Sequence, residues 1–176
     1  MAGARGLRMI RYREPRPDDA AAIRALFERS FVDTFAHLYR PEDLQAFLGQ
    51  FTERAWRAEI ADPAFAFRLA EAAEPVGFAK LGPRALPVET ARRSLELRQL
   101  YVLREWQGRG IARALMDWAL AEALRRGAEE LYLSVWTDNE RAKSFYRGYG
   151  FSFVGPYAFM VGAQADEDEI WRLELK

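Results

Sequence analysis

The chain has 176 residues, 50% of them hydrophobic and 14% aromatic, which is enough to bury a core and fits one domain spanning 1–176. Lys plus Arg equal Asp plus Glu at 26 each, so no overall field draws the chain to nucleic acid or an anionic membrane, and recognition must use local charge. There is no cysteine and His37 is the one histidine, which excludes disulfides and thiolate nucleophiles and argues against a zinc centre, so no metal site is expected.

The N-terminal "MAGARGLRMIRYREP" lacks an apolar leader, and no run approaches the ~18 apolar residues of a membrane span, so a soluble cytoplasmic protein is expected. "LRMIRYR" (Leu7 to Arg13) reads as a first strand, closed by Pro15 and Pro17. Asp18 then stands where it can cap a helix through "AAAIRALFERSFVDTF". Pro41 starts a shorter helix, "PEDLQAFLG", and Thr52 a third, "TERAWRAEIA", stopped by Asp62 and Pro63. "FAFRLAE" and "PVGFAKLGP" form a hairpin across "AAEP", and "SLELRQLYVL" (Ser94 to Leu103) is the next strand. A helix follows "QGRG" and ends near Arg126 and Gly127. "ELYLSVW" is a strand, "NERAKSFYRGYG" a helix with Gly150 past its end, and "FSFVGPYAFMV" and "DEIWRLEL" close the chain as strands. The alternation describes one α/β domain with early helices and a mixed sheet.

The glycines of "QGRGIA" stand where a helix begins. Free N–H groups of a first helical turn carry partial positive charge, and glycine lets a ligand approach the backbone, so the loop suggests an anion site. A tight strand-to-helix turn would use the same glycines. The dinucleotide pattern G-x-G-x-x-G fails because Arg113 occupies its third glycine position, and no G-x-x-x-x-G-K-[ST] run exists. A hydrolase triad lacks its G-x-S-x-G elbow.

The longer run "LELRQLYVLREWQGRGIARALMDWAL", followed by "LYLSVWTDNERAKSFYRGYGFSFVG", resembles the GNAT superfamily of acyl-CoA-dependent N-acetyltransferases. Gln107, Gly110 and Ala112 match its pyrophosphate loop, and Asn139, Phe145, Tyr146, Gly150 and Phe151 match its later helix motif. The segments "DTFAHLYRPEDLQAFL" and "GFSFVGPYAFMVGAQADEDEIWRLEL" are similar to the bacterial spermidine and spermine acetyltransferase branch. The resemblance implies a mixed, mostly antiparallel twisted sheet of about seven strands flanked by helices, with central strands splayed for acyl-CoA. It implies acetyl-CoA as co-substrate, its pyrophosphate on the N–H groups from Gly108 through Arg109, Gly110 and Ile111 to Ala112. Arg109 would add an ionic contact, with Arg104 and Arg113 as further candidates. The pantetheine arm would pair with free backbone near Leu100 and Val102 and bond Asn139, which could equally cap a helix.

Acetyl transfer to an amine needs a base, an oxyanion donor and an acid for the leaving thiolate. By the resemblance these are Glu96, the Leu100 N–H and Tyr146. Glu96 could otherwise be an ion-paired strand residue, and Tyr146 could pack on Phe145 and Phe151. His37 is a substrate-side candidate. The expected partner is a small-molecule amine, with no nucleic acid or membrane, and a homodimer is compatible with the resemblance. A peptide N-terminus, an antibiotic-type amine and a non-catalytic acyl-CoA sensor are the alternatives. Asp166, Glu167, Asp168 and Glu169 read as an acidic cluster on the last hairpin's connection, facing a polyamine against Tyr157, Phe159 or Trp171, or simply solvated.

Overall fold

The computed structural model describes residues 9–176, and its seven strands form one sheet in the order β1-β2-β3-β4-β5-β7-β6. The chain runs β1 (Arg11–Arg13), α1 (Ala20–Phe35), α2 (Pro41–Gly49), α3 (Glu53–Ala61), β2 (Ala66–Glu71), β3 (Pro75–Pro83) and β4 (Ser94–Val102). It continues through α4 (Ile111–Arg125), β5 (Glu130–Trp136), α5 (Glu140–Tyr149), β6 (Ser152–Val161) and β7 (Gln164–Glu174). Every neighbouring pair is antiparallel except β4 and β5.

Alternation along the strands divides the apolar residues between two layers. Phe67, Leu69 and Phe78 face α1 and α3, where they bury Ile23, Phe27, Phe31 and Trp56. Ala79, Leu81, Leu97, Leu131 and Leu133 face α4, against Ile111, Leu115 and Met116. Each large buried side chain contributes about 1.5–3 kcal/mol relative to exposure, so both helical layers are fixed on the sheet independently.

Thr52 caps α3 as expected, its Oγ1 accepting from the Ala55 N–H at 3.1 Å, and Pro41 opens α2. Asp18 does not cap α1. A 3-10 turn (Pro17–Asp19) leads into that helix, and Asp18 instead pairs with Arg57 at 2.9 Å. Asp19 is held by Arg13, which also grips Glu71 and so ties the helix entry to the β1–β2 edge. Leu7 and Arg8 of the expected first strand lie outside the described residues, and the strand itself begins at Arg11.

The last hairpin departs from its sequence reading. Val161 pairs with Gln164, so Gly162 and Ala163 alone make the turn, and the acidic run lies within β7. Charged side chains disfavour strand in isolation, and pairing on both edges overrides that preference here.

Candidate active site

The parallel ladder between β4 and β5 stops after Ser94–Glu130, Leu95–Leu131 and Glu96–Tyr132. Just beyond it, β3 pairs Leu81 with Leu97 and Lys80 with Gln99, leaving Arg98 as an extra residue that bends β4. The two strands therefore separate toward their C-terminal ends. The Leu103 N–H bonds the Val76 carbonyl at 2.9 Å, so by alternation the polar backbone of Tyr101 also faces β3 while that of Leu100 and Val102 faces the gap. Gln107 reaches the Val102 carbonyl through Nε2 at 3.1 Å, and its Oε1 accepts from Arg141 at 2.6 Å. This glutamine thus joins β4, the glycine loop and α5 across the mouth of the gap.

At that mouth Gly108 and Gly110 both adopt left-handed conformations, with φ of 75° and 81°. Other residues tolerate such values poorly, and a β-carbon at either position would enter open space, so the glycines serve the turn and leave the surface clear. Ile111 is buried and anchors α4, whose first helical bond runs from the Ala114 N–H to the Gly110 carbonyl. The N–H groups of Ile111, Ala112 and Arg113 consequently lack helical partners and converge where an anion is favoured. Arg109 stacks over Trp106 at 4.8 Å beside them.

Asn139 is the cap of α5, its Oδ1 accepting from the Ala142 N–H at 3.1 Å. The same helix carries Tyr146, packed on Phe145 and Phe151 at centroid distances of 5.5 and 5.8 Å. Burial pushes its hydroxyl up to about 12, so the phenol keeps its proton throughout the working pH range.

Paired residues on adjacent strands share a face. Asp168 stands opposite Trp136 on β5 and Tyr157 on β6, and Asp166 stands opposite Phe159. Phe159 packs on Phe47 of α2, and Trp136 meets Phe35 of α1 edge-on at 6.2 Å, so this face lies under α1 and α2. Tyr39, after α1, donates its hydroxyl to Asp166. Burial and then Asp166 raise the Tyr39 phenol, while burial, Tyr146 and Asp168 raise that of Tyr101. Asp168 thus stands at the end of β5 that has parted from β4, on the face covered by α1 and α2. Asp168 is only 8% exposed and is raised to about 7 by burial, then by Asp166, with Glu169 adding to the effect and the Ser134 hydroxyl opposing it.

The other sequence candidates sit in varied surroundings. Glu96 sits where β4 and β5 are still paired, with Oε2 accepting the Ala85 and Leu86 N–H groups at 2.7 and 3.1 Å and Oε1 3.5 Å from Arg98. His37 is exposed, and its neighbour Tyr39 is the residue that reaches the sheet. The acids of β7 alternate faces. Glu167 is exposed, and Glu169 turns to α5, where it meets Lys143 at 3.1 Å and the Trp171 Nε1 at 2.7 Å. Trp171 lies on that same α5 side, beneath Arg147, and forms no acceptor wall. A hollow of about 530 Å³ there is lined by Lys143, Arg147, Phe153 and Trp171, away from the glycine loop. Among the described residues no cluster of His, Asp and Glu could hold a metal ion, and no helix is long and apolar enough to cross a membrane.

In the sequence Tyr39 and Tyr101 carry no mark of a site, and Asp168 stands only as one of the acidic run. The signal available was the period of two in "QADED", which as a strand puts Asp166 and Asp168 on one face.

Comparison with known proteins agrees with this architecture. The chain is 30% identical over 154 residues to an uncharacterised N-acetyltransferase from Lactobacillus delbrueckii subsp. lactis, covering 86% of this chain and 89% of that protein. It is 33% identical over 159 residues to an uncharacterised N-acetyltransferase from Mycobacterium tuberculosis, covering 89% and 98%. The fold is similar to the crystal structure of PaiA N-acetyltransferase from Thermoplasma acidophilum in complex with coenzyme A, with a TM-score of 0.75, 21% identity, and 94% and 99% of the two chains covered. The model of the acetyltransferase (GNAT) family matches residues 11–151, most of the chain, and with its splayed strands and glycine-opened helix this protein belongs to that transferase family.

Proposed function

We propose that the protein transfers an acetyl group from acetyl-CoA to the primary amine of a small molecule, directly, within a ternary complex. The observation that carries this reading is the β4–β5 gap, where the backbone of Leu100 and the N–H of Val102 have no partner on β5, leading to the free N–H groups of α4. The gap suits the amide-bearing pantetheine arm, and the helix terminus suits the pyrophosphate, with Arg109 beside it. Asn139 retains an amide N–H₂ for the same arm, its oxygen being used as the cap.

The thioester carbonyl then meets the Leu100 N–H, which stabilises the negative oxygen of the tetrahedral intermediate. Tyr146 donates its proton to the sulfur as the C–S bond breaks. Its high pKa makes it a firmly protonated donor rather than a strong acid, so the departing thiolate draws the proton only as charge develops on sulfur. Glu96 is the carboxylate that the family resemblance offers as base. Its oxygens already hold the turn at Ala85 and Leu86, which supports a part in shaping the site.

The polyamine reading loses two of its four carboxylates, since Glu167 and Glu169 do not share the face of Asp166 and Asp168. The remaining pair supports an acceptor with a single buried ammonium as well as it supports a polycation. Thiol release from acetyl-CoA with spermidine, tyramine and an alanine tripeptide tests the proposal. Release that depends on spermidine or tyramine supports it, preference for the tripeptide moves the acceptor to peptide N-termini, and coenzyme A binding without release from any amine replaces it with a sensor.

A further inference from the structure

Asp168 is a buried carboxyl group without a cationic partner. Among the described residues no Lys, Arg or His forms an ion pair with it, although the neighbouring Glu169 is paired with Lys143. Around it stand Asp166 on its own strand, Ser134 and Trp136 on β5 and Tyr157 opposite on β6, with Tyr39 reaching in from beyond α1 to Asp166. None of these can carry a positive charge. Burying an unpaired carboxylate costs stability, and either a proton or a cationic ligand relieves that cost.

The cation that this site would receive follows from the acetyl-transfer reading above, on which this inference rests. We propose that Asp168 is a catalytic residue that takes the proton from the acceptor's ammonium group. The sheet register places it beside the transfer centre, because Asp168 pairs with Trp136, the last residue of β5, beyond the point where β5 parts from β4. Asp166, fixed by the Tyr39 hydroxyl, reinforces the negative field that draws the ammonium in. Burial, with the charge of Asp166 adding to it, raises the proton affinity of Asp168 and brings that carboxyl close to neutral working pH, where a base is most effective.

The protons balance as follows. The ammonium gives one proton to the Asp168 carboxylate, and the nitrogen lone pair forms the C–N bond at the thioester carbonyl. Collapse of the intermediate breaks the C–S bond, Tyr146 protonates the sulfur, and the resulting phenolate takes the second proton from nitrogen. Asp168 returns its proton to water, so each acetyl transferred releases one proton.

The test compares wild type, Asp168→Asn and Asp168→Glu with spermidine, tyramine and an alanine tripeptide from about pH 6 to about pH 9.5, and melts each protein from about pH 4 to about pH 9. With any probe that wild type accepts, Asp168→Asn should lower kcat by about 10²-fold near neutrality, and the loss should shrink as pH approaches the amine's own pKa of ~10. Asp168→Glu should restore part of the rate, and the coenzyme A melting shift should be unchanged. A loss that is independent of pH, confined to KM, or smaller than about twofold overturns the proposal. If wild type accepts none of the probes, the acetyl-transfer reading has failed and the melts decide. Asp168→Asn should then raise the melting temperature above wild type by an amount that grows from about pH 4 to about pH 7 and is level beyond it, and parallel curves would show that Asp168 is no proton acceptor.

Discussion

Gly162 lies so close beneath Asp43 that a β-carbon on the glycine would stand 2.6 Å from the Asp43 Cα. The turn of the last hairpin is thereby pressed against α2, and the contact is fixed by the Ala163 N–H on Asp43 Oδ1 at 2.8 Å and by Gln164 Nε2 on the Leu38 carbonyl at 2.7 Å. Tyr39 and Asp166 belong to the same junction. Gly162→Ala combines this collision with a φ of 59°, so it should destabilise the fold by about 1–3 kcal/mol. Because the junction covers the acceptor face, the variant should raise the acceptor KM and spare the melting shift given by coenzyme A. An equal loss of both would show that α2 is not a roof for the acceptor alone.

The glycine loop offers a separate test. Gly110→Glu places a carboxylate in open space at the start of α4, where it costs about 1 kcal/mol for its left-handed backbone and repels phosphate. Wild type at ~100 times the coenzyme A dissociation constant should gain about 2.7 kcal/mol, measured as a higher melting temperature. The variant should fold and lose that gain. A full gain in the variant would remove the pyrophosphate from this loop.

Tyr146→Phe deletes one hydroxyl and keeps the ring contacts with Phe145 and Phe151. Coenzyme A affinity should be nearly unchanged while kcat falls by about 10²-fold. Since the phenol is neutral up to about pH 12, the loss should be uniform across ordinary pH. Steady-state kinetics with wild-type turnover would take Tyr146 out of the reaction.

Local signals made much of this fold legible. Pro41 and Thr52 mark their helices to the residue, and Gly150 ends α5 with a φ of 94°. The glycine loop was legible for the same reason, since its chemistry lies in consecutive residues. The acidic face was not, because Tyr39 on Asp166 and Trp136 beside Asp168 come together only through the order of the sheet, which places β7 beside β5 and ahead of β6. A second obstacle was the acidic run, whose poor strand propensity made a loop the natural reading and hid the alternation that separates Asp168 from Glu169.

Away from the site, Glu122 binds Arg125 at 2.6 and 2.7 Å and Arg126 at 2.7 Å, and Arg126 in turn bonds the carbonyls of Pro63, Ala64 and Phe65. The bond from Arg125, helped by Arg126 against the opposing effect of burial, holds the carboxyl at about 2. A depressed carboxyl stabilises above its unfolded pKa and loses that contribution as pH falls through its folded value. Glu122→Gln should therefore cost about 1–2 kcal/mol at neutral pH, a figure kept low by the exposure of Arg125. The difference from wild type should close between about pH 4.5 and pH 2 in denaturant titrations. A constant difference would assign the cost to packing.

Glu96→Gln separates the two carboxylates that could serve the amine. Glu96 lies in the paired part of β4, before the bulge, and its Oε2 accepts two N–H groups that would otherwise be left without partners at the Ala85–Leu86 turn. Glutamine can present one oxygen to both donors, but its N–H₂ must then face Arg98, where the carboxylate now stands at 3.5 Å. The substitution should accordingly cost about 1–2 kcal/mol of stability through weakened charge-assisted bonds. If Asp168 takes the proton, Glu96→Gln should lower kcat by less than about tenfold and leave the shape of its pH profile intact, because a distorted turn affects every protonation state of the amine alike. The measurement is kcat against pH for wild type, Glu96→Gln and Asp168→Asn with one acceptor. A loss in Glu96→Gln that is deepest near neutrality and recovers as the free amine accumulates would return the base to Glu96 and leave Asp168 to attract the ammonium.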